Sequence, residues 1–356
     1  MDDTSLRFLK TLLNTPGPSG FETDAARAWR AEAERFADRV WADVSGNSFA
    51  SVHPGGRPRV MLAGHIDEIG LIVTHVDDNG FLYFSAIGGW DPEILAGQRV
   101  RILTKNGPVL GVIGKKAVHL QNKEERERPS RIKDFWIDIG AANRDEAKAR
   151  VRVGDPAVLD ADLVELPNRR LVSRSLDNRM GAFVVLEALR LLARDPAAAE
   201  TIAVATTREE IGYPGGGGAR ASAFGLDPQV AIVVDVTHAT DYPTAEKKEE
   251  GDHPLGSGPV IHRGAVLNPV LVERLVEVAE TQKIPYTLEA SGRYTGTDAD
   301  AIYAARAGIA TAVLSVPNRY MHSPNEMVAL DDLENAARLL AAFVRTLEPD
   351  ADFVPR

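Results

Sequence analysis

The strongest constraint on the fold is a change of texture that occurs twice along the chain. Up to about residue 67, and again from about residue 168, apolar β-type runs alternate with amphipathic helical stretches. Residues 68–167 read instead as hairpins. There, residues 71–76 and 80–84 flank Asp77-Asp78-Asn79, and residues 99–103 and 109–113 flank Lys105-Asn106-Gly107. Turn-forming residues between β-branched and aromatic runs are a hairpin signal. Helical pattern is scarce in this middle stretch apart from residues 144–150.

On either side the elements are longer. Residues 4–36 have helical spacing broken at Pro16-Gly17-Pro18, which predicts two short helices, and residues 59–63 form a β-type run ending at Gly64-His65. Residues 179–193 put Phe183, Leu186, Leu189 and Leu192 on one helical face. Strands are expected over 201–206, 230–236, 285–290 and 311–316, and helices over 269–282, 298–307 and 331–347, the last capped by Asp331. Alternation of this kind predicts a layered α/β domain with a largely parallel or mixed sheet. A chain of 356 residues exceeds the usual size of one compact domain. The expected organisation is an α/β domain formed by residues 1–67 and 168–356, interrupted by a β-rich insert over 68–167.

Composition excludes several classes of function. The absence of Cys removes disulfides, iron–sulfur clusters, thiolate metal sites and Cys nucleophiles, so any metal must sit on His and carboxylates. A net charge of −10 argues against a general nucleic-acid binder. The basic residues of 115–133 are interleaved with Glu124, Glu125 and Glu127 and read as a solvated loop. No apolar run approaches the roughly 20 residues needed to cross a bilayer. Met1-Asp2-Asp3 does not begin a signal peptide, so a cytoplasmic location with no membrane partner is expected.

Potential metal ligands stand near the ends of the apolar strands. His65 follows the 60–63 run, Asp235 ends the 230–234 run, Glu209-Glu210 lie just past the strand ending at Thr206-Thr207, and His322 lies a short loop beyond Val316. Asp177 precedes the helix of 179–193. Ligands in open α/β sheets collect outside the carboxyl ends of strands, so these groups can converge in one crevice. Singly, each has a plain reading: a strand-end histidine, a helix-capping aspartate, a solvated Glu-Glu turn. Asp235 is sharper, because a carboxylate ending an all-apolar strand must be paired, protonated or metal-bound. Nitrogen and oxygen donors without sulfur suit Zn²⁺, Co²⁺ or Mn²⁺. Two such ions sharing a carboxylate and a water form a hydrolytic centre, with one of two adjacent glutamates as ligand and the other as general base. Asp67 is spaced to orient His65 through its second ring nitrogen.

The motifs Ala63-Gly64-His65-Ile66-Asp67-Glu68-Ile69-Gly70, Leu176-Asp177-Asn178-Arg179, Glu209-Glu210-Ile211-Gly212, Val234-Asp235-Val236-Thr237-His238 and Arg319-Tyr320-Met321-His322-Ser323-Pro324 resemble the glutamyl and tetrahedral aminopeptidases of metallopeptidase family 42. Smaller echoes are Trp136-Ile137-Asp138-Ile139-Gly140-Ala141 and Gly296-Thr297-Asp298-Ala299. The resemblance covers essentially the whole chain. It implies an α/β/α dinuclear-metallopeptidase domain with a barrel-like dimerisation insert, and removal of N-terminal residues from short peptides. It also implies that Asp177 bridges two ions, that His65 and Asp235 complete one site and Glu210 and His322 the other, and that Glu209 is the catalytic acid/base. A homo-oligomer is implied, either a dimer or a tetrahedral dodecamer built from dimers.

Two segments depart from the family pattern. Tyr213-Pro214-Gly215-Gly216-Gly217-Gly218 is longer and richer in glycine, and no Gly-Lys-Ser/Thr follows that would make it a phosphate loop. Residues 241–257 look loosely structured. Arg293, Tyr294 and Asp298 read equally well as pocket or as structural residues. The alternatives are a related co-catalytic metallopeptidase or N-acyl amino-acid deacylase, and a non-catalytic shell or binding protein on the same fold. Some family members carry the name endoglucanase, but glycoside hydrolysis needs paired carboxylates and neither His65 nor His322.

Overall fold

The computed structural model describes residues 1–212 and 217–356. Two helices open the chain, Asp3–Asn14 and Thr23–Ala33. Asp2 caps the first through the N–H groups of Thr4 and Ser5. They lead to the strands β1 (Arg39–Ala42), β2 (Ser48–Val52) and β3 (Arg59–His65).

The next strands are β4 (Gly70–Val76), β5 (Leu82–Ile87), β6 (Arg99–Thr104), β7 (Gly107–Lys115), β8 (Phe135–Asp138) and β9 (Pro156–Leu159). They close into a barrel in the order β4-β5-β8-β7-β6-β9. The β4–β5 and β6–β7 hairpins turn at the two expected sites. Closure depends on β9, which pairs Ala157 with Leu71 and Leu159 with Val100. Alternation fills the interior: Val100 and Ile102 are buried while Arg99 points outward. The mixed-charge stretch after β7 is exposed and contains a short helix, Lys123–Glu127, capped by Asn122 and Glu125.

Beyond the barrel come β10 (Val164–Leu166), β11 (Arg170–Ser173), β12 (Glu200–Thr206), β13 (Val230–His238), β14 (Val260–Gly264), β15 (Thr287–Ser291), β16 (Ala310–Asn318) and β17 (Glu326–Ala329). The main sheet has eight strands in the order β1-β2-β12-β3-β13-β16-β14-β15. Its centre, β12-β3-β13-β16, is parallel, while β2 and β14 run antiparallel to their central neighbours. The sheet is therefore mixed. The parallel strands are nearly all apolar because helices cover both faces. Met61, Leu62, Ile232 and Val233 are fully buried, and the helix Leu176–Arg194 packs Phe183, Leu186 and Leu189 onto them. A small sheet of β10, β11 and β17 lies apart.

Three expectations change. The last helix is Leu330–Arg345, and Asp331 is in its first turn rather than at the cap. There it suits the helix macrodipole and pairs with Arg169 at 3.0 Å. The helix expected over 298–307 is only Ala299–Ile302, because the chain turns through positive φ at Arg306 and Gly308. Of the glycine-rich stretch 213–218, residues 213–216 lie outside the described residues, and Gly217 opens a helix to Leu226 that the glycine content concealed. Among the described residues no helix is long and apolar enough to cross a membrane.

Candidate active site

The carboxyl ends of the parallel strands carry the polar residues. Pairing of β12 with β3 continues to Thr206–His65, but pairing of β13 with β3 stops at Ala63–Val233, short of Asp235. The helix Leu176–Arg194 fits against this point by close backbone approach. A Cβ on Gly64 would stand 2.4 Å from the Gly181 carbonyl carbon, and one on Gly181 would stand 2.6 Å from the Val234 oxygen. Only glycine at both positions allows this contact. Asn178 then donates to the Val234 carbonyl at 2.8 Å and Arg179 Nε to that of Ile66 at 3.0 Å. Asp177 is not a helix cap. Its backbone is non-helical and its side chain meets the strand ends.

Every predicted ligand comes to one cavity of about 410 Å³, lined by His65, Asp177, Glu209, Glu210, Asp235 and His322 among others. Asp177 stands at the centre, with Oδ1 at 3.2 Å from His65 Nε2 and Oδ2 at 3.4 Å from His322 Nε2. His65 Nε2 is 3.9 Å from Asp235 Oδ1, and His322 Nε2 is 3.2 Å from Glu210 Oε2. Two groups of donor atoms result, His65/Asp177/Asp235 and Asp177/Glu210/His322, each within 4.8 Å. They share Asp177. Glu209 belongs to neither, although its Oε2 lies 3.7 Å from His65 Nε2.

Asp67 stands behind the wall, fully buried, and faces His65 Nδ1 at 3.5 Å. Its carboxylate also accepts the backbone N–H groups of Glu209 and Glu210 at 3.2 and 3.1 Å and the Ser19 hydroxyl at 2.6 Å. One buried carboxylate thus positions both the histidine and the Glu-Glu turn. Glu326 does the same opposite, accepting the N–H groups of Asp177 and His322 at 2.8 and 2.9 Å.

So many acids in one place hold protons. Burial, reinforced by Asp235 and Asp298, pushes Glu209 up to about 10 against the pull of His65. Burial and the nearby Asp177 push Glu210 up to about 7. Burial raises Asp235 well above the carboxylate range. Burial also opposes the charges of Asp177 and His65, but the two side chains support each other. With His322 helping, Asp177 is held below the carboxylate range and His65 is raised. His322 is raised to about 11 by Asp177 and Glu210. Glu210 Oε1 is buried and has no hydrogen-bond partner. A cluster of carboxyl groups around an oxygen without a hydrogen-bond partner, with imidazole nitrogens at both ends, fits hard-to-borderline divalent cations once the protons are displaced.

The family description of M42 glutamyl aminopeptidase matches residues 46–339. This chain belongs to the M42 family. The M42 assignment agrees with the lysyl aminopeptidase of Pyrococcus furiosus, 37% identical over 98% of each chain. The TET aminopeptidase of the marine sediment archaeon Thaumarchaeota archaeon SCGC AB-539-E09 is 35% identical over 97% of each chain, with a TM-score of 0.92. The Pyrococcus horikoshii TET1 peptidase can assemble into a tetrahedron or a large octahedral shell. It is 32% identical over 96% of this chain and 100% of its own, with a TM-score of 0.84. M42 enzymes are aminopeptidases, hence peptide hydrolases.

Within this M42 site the sequence left several residues unread. Glu326 opens the short strand β17 and carries no signal beyond an acid before an apolar run. Glu289 and His262, on neighbouring strands at the sheet edge, also line the cavity. Asp298 is buried and accepts the Thr206 hydroxyl at 2.5 Å, whereas Arg293 and Tyr294 are exposed. Thr295 to Thr297 line the cavity in their place.

Proposed function

We propose that the chain is a two-metal aminopeptidase that removes the N-terminal residue from short peptides. The observation that carries this reading is the pair of donor groups sharing Asp177, with Glu209 beside them but in neither. His65 and Asp235 would hold one ion, Glu210 and His322 the other, and Asp177 both. Zn²⁺ or Co²⁺ suits these donors best, and Mn²⁺ is compatible. Bound there, the ions supply Lewis acidity, acidifying water and polarising the scissile carbonyl.

The protein's own groups move the proton. Glu209 takes it from the attacking water and returns it to the leaving amine. Its high proton affinity arises from burial and neighbouring acids, and positive charge in their midst offsets that repulsion. Asp67 keeps the reacting groups in register through the two turn N–H groups.

The assembly is a homo-oligomer on this reading, with residues 68–167 as the dimerisation domain and the rest as the catalytic domain. The proposed assembly is a dimer or a tetrahedral dodecamer, and the likeness to the P. horikoshii peptidase, which can assemble into a tetrahedron or a large octahedral shell, supports a homo-oligomer. The proposed location is cytoplasmic. The test is release of amino acid from aminoacyl-p-nitroanilides by chelated protein with Co²⁺ or Zn²⁺ added back. Activity lost on chelation and recovered with metal is expected; activity indifferent to chelation would overturn the metal mechanism.

A further inference from the structure

The turn that carries Glu209 and Glu210 is held from outside, by side chains distant in sequence. Four successive N–H groups leave it for such acceptors. Thr207 donates to Asn47 Oδ1 at 3.1 Å, Arg208 to Glu22 Oε1 at 3.2 Å, and Glu209 and Glu210 to the Asp67 carboxylate. Arg208 has φ +61°, a left-handed conformation that a residue with a Cβ keeps only where its surroundings hold it. Such a turn lets neighbouring N–H groups converge on anionic acceptors. Glu22 supplies the acceptor at the strained residue itself.

The Glu22 side chain has no task in its own helix. Glu22 stands at the cap position of Thr23–Ala33, yet its side chain makes no capping hydrogen bond. It turns back instead, buried, and one oxygen accepts the N–H of Gly20 at 2.7 Å together with that of Arg208. The segment before it is tied to the wall behind the site. Ser19 donates its N–H to the Glu68 carbonyl and Glu68 donates its own to the Gly17 carbonyl, each at 3.2 Å, while the Ser19 hydroxyl holds Asp67. Glu22 and Asp67 therefore reach the turn from one connected frame. Glu209 depends on that frame more than Glu210 does. Glu210 shares a donor group with Asp177 and His322, so a bound ion would keep it in place, whereas Glu209 is in neither group.

We infer that Glu22 is a positioning residue for the reaction: by accepting the Arg208 N–H it fixes the backbone from which Glu209 meets the attacking water. The inference rests on the role given to Glu209 under the aminopeptidase reading. Glu22 acts through reach rather than charge, since a single oxygen receives both N–H groups.

Two substitutions separate reach from charge, each assayed metal-loaded beside wild type on the aminoacyl-p-nitroanilide that wild type cleaves best. Glu22→Asp keeps the charge but is one methylene short of the N–H groups. Glu22→Gln keeps the length and an acceptor oxygen without the charge. Misplacing a reacting group predicts that kcat falls about 10- to 100-fold in Glu22→Asp, with KM and metal content near wild type. Glu22→Gln should keep the wild-type kcat. Hydrogen–deuterium exchange reads the same hold without turnover. Amides of residues 207–210 should be protected in wild type and in Glu22→Gln, and should exchange faster in Glu22→Asp. Wild-type kcat in Glu22→Asp would overturn the inference and leave the aminopeptidase reading intact. So would an equal loss in Glu22→Gln, or loss of metal along with activity. If wild type turns over no anilide, the aminopeptidase reading fails instead, and exchange still decides whether Glu22 holds the turn: unchanged exchange in Glu22→Asp overturns it. Unprotected amides at 207–210 in wild type would overturn it with no variant at all.

Discussion

Asp177 donates its backbone N–H to Glu326 Oε2 at 2.8 Å, deep beneath the cavity floor. The other oxygen of Glu326 takes the N–H of His322 at 2.9 Å, so one buried side chain sets the separation of two proposed ligands. Burial and the nearby Asp177 raise its pKa well above the carboxylate range, consistent with a carboxyl that serves as a neutral acceptor.

Replacing Glu326 with Ala removes both acceptors and leaves the buried N–H of Asp177 and the part-buried N–H of His322 unpaired. Outer-sphere partners of this kind are worth roughly 10–100-fold in metal affinity. Equilibrium dialysis against Co²⁺ should show a loss of that size. Unchanged affinity would mean that the loop holds His322 without Glu326.

Arg179, fully buried two residues after Asp177, pairs with Glu68 at 2.9 Å, and Arg174 pairs with the other oxygen of the same glutamate. Burial lowers the Arg179 pKa to about 10, with Glu68 opposing the shift. Glu68→Ala would leave a buried cation uncompensated and should cost about 3–5 kcal/mol. Urea unfolding followed by Trp fluorescence measures it, and a cost below about 1 kcal/mol would contradict the stated role of the pair.

The legible parts of the fold and site were those encoded locally. Hairpins at Asp77-Asp78-Asn79 and Lys105-Asn106-Gly107 follow from short-range turn chemistry, and the apolar strand runs before His65 and Asp235 mark where a polar residue must find a partner. Barrel closure through β9 was not readable, because Ala157 meets Leu71 across 86 positions of chain that carry no pairing signal. Asp67 was read as a partner of His65. Its grip on the Glu209-Glu210 turn was not, since it joins positions separated by 142 and 143 residues. Glu289 and Glu326 sit in short strands where an acid looks like any outward-facing residue.

Proton linkage gives a further expectation. The folded, metal-free cluster binds protons that the unfolded chain releases: Glu209 and Glu210 are raised to about 10 and 7, Asp235 is raised, and His322 is raised to about 11. Wherever the folded state binds more protons, stability falls as pH rises. Chelated protein should therefore melt at a lower temperature at pH 8 than at pH 6. Metal must displace these protons, so its affinity should rise with pH over the same window. Calorimetry in buffers of different ionisation enthalpy would register proton release on Co²⁺ binding, and proton uptake would contradict the arrangement.

Asp177→Asn should weaken both metal sites together, because its two oxygens face His65 and His322 separately. Elemental analysis of the purified variant should show loss at both positions. Metal content equal to wild type would count against a bridging role.

The central claim is the division of labour at Glu209-Glu210, one residue moving the proton and the other holding metal. Metal content and turnover of Glu209→Gln, measured on the same preparation, test it most directly. The account predicts two ions per subunit, as in wild type, with kcat reduced about 10²- to 10⁴-fold. Full activity in that variant, or loss of metal along with activity, would contradict it.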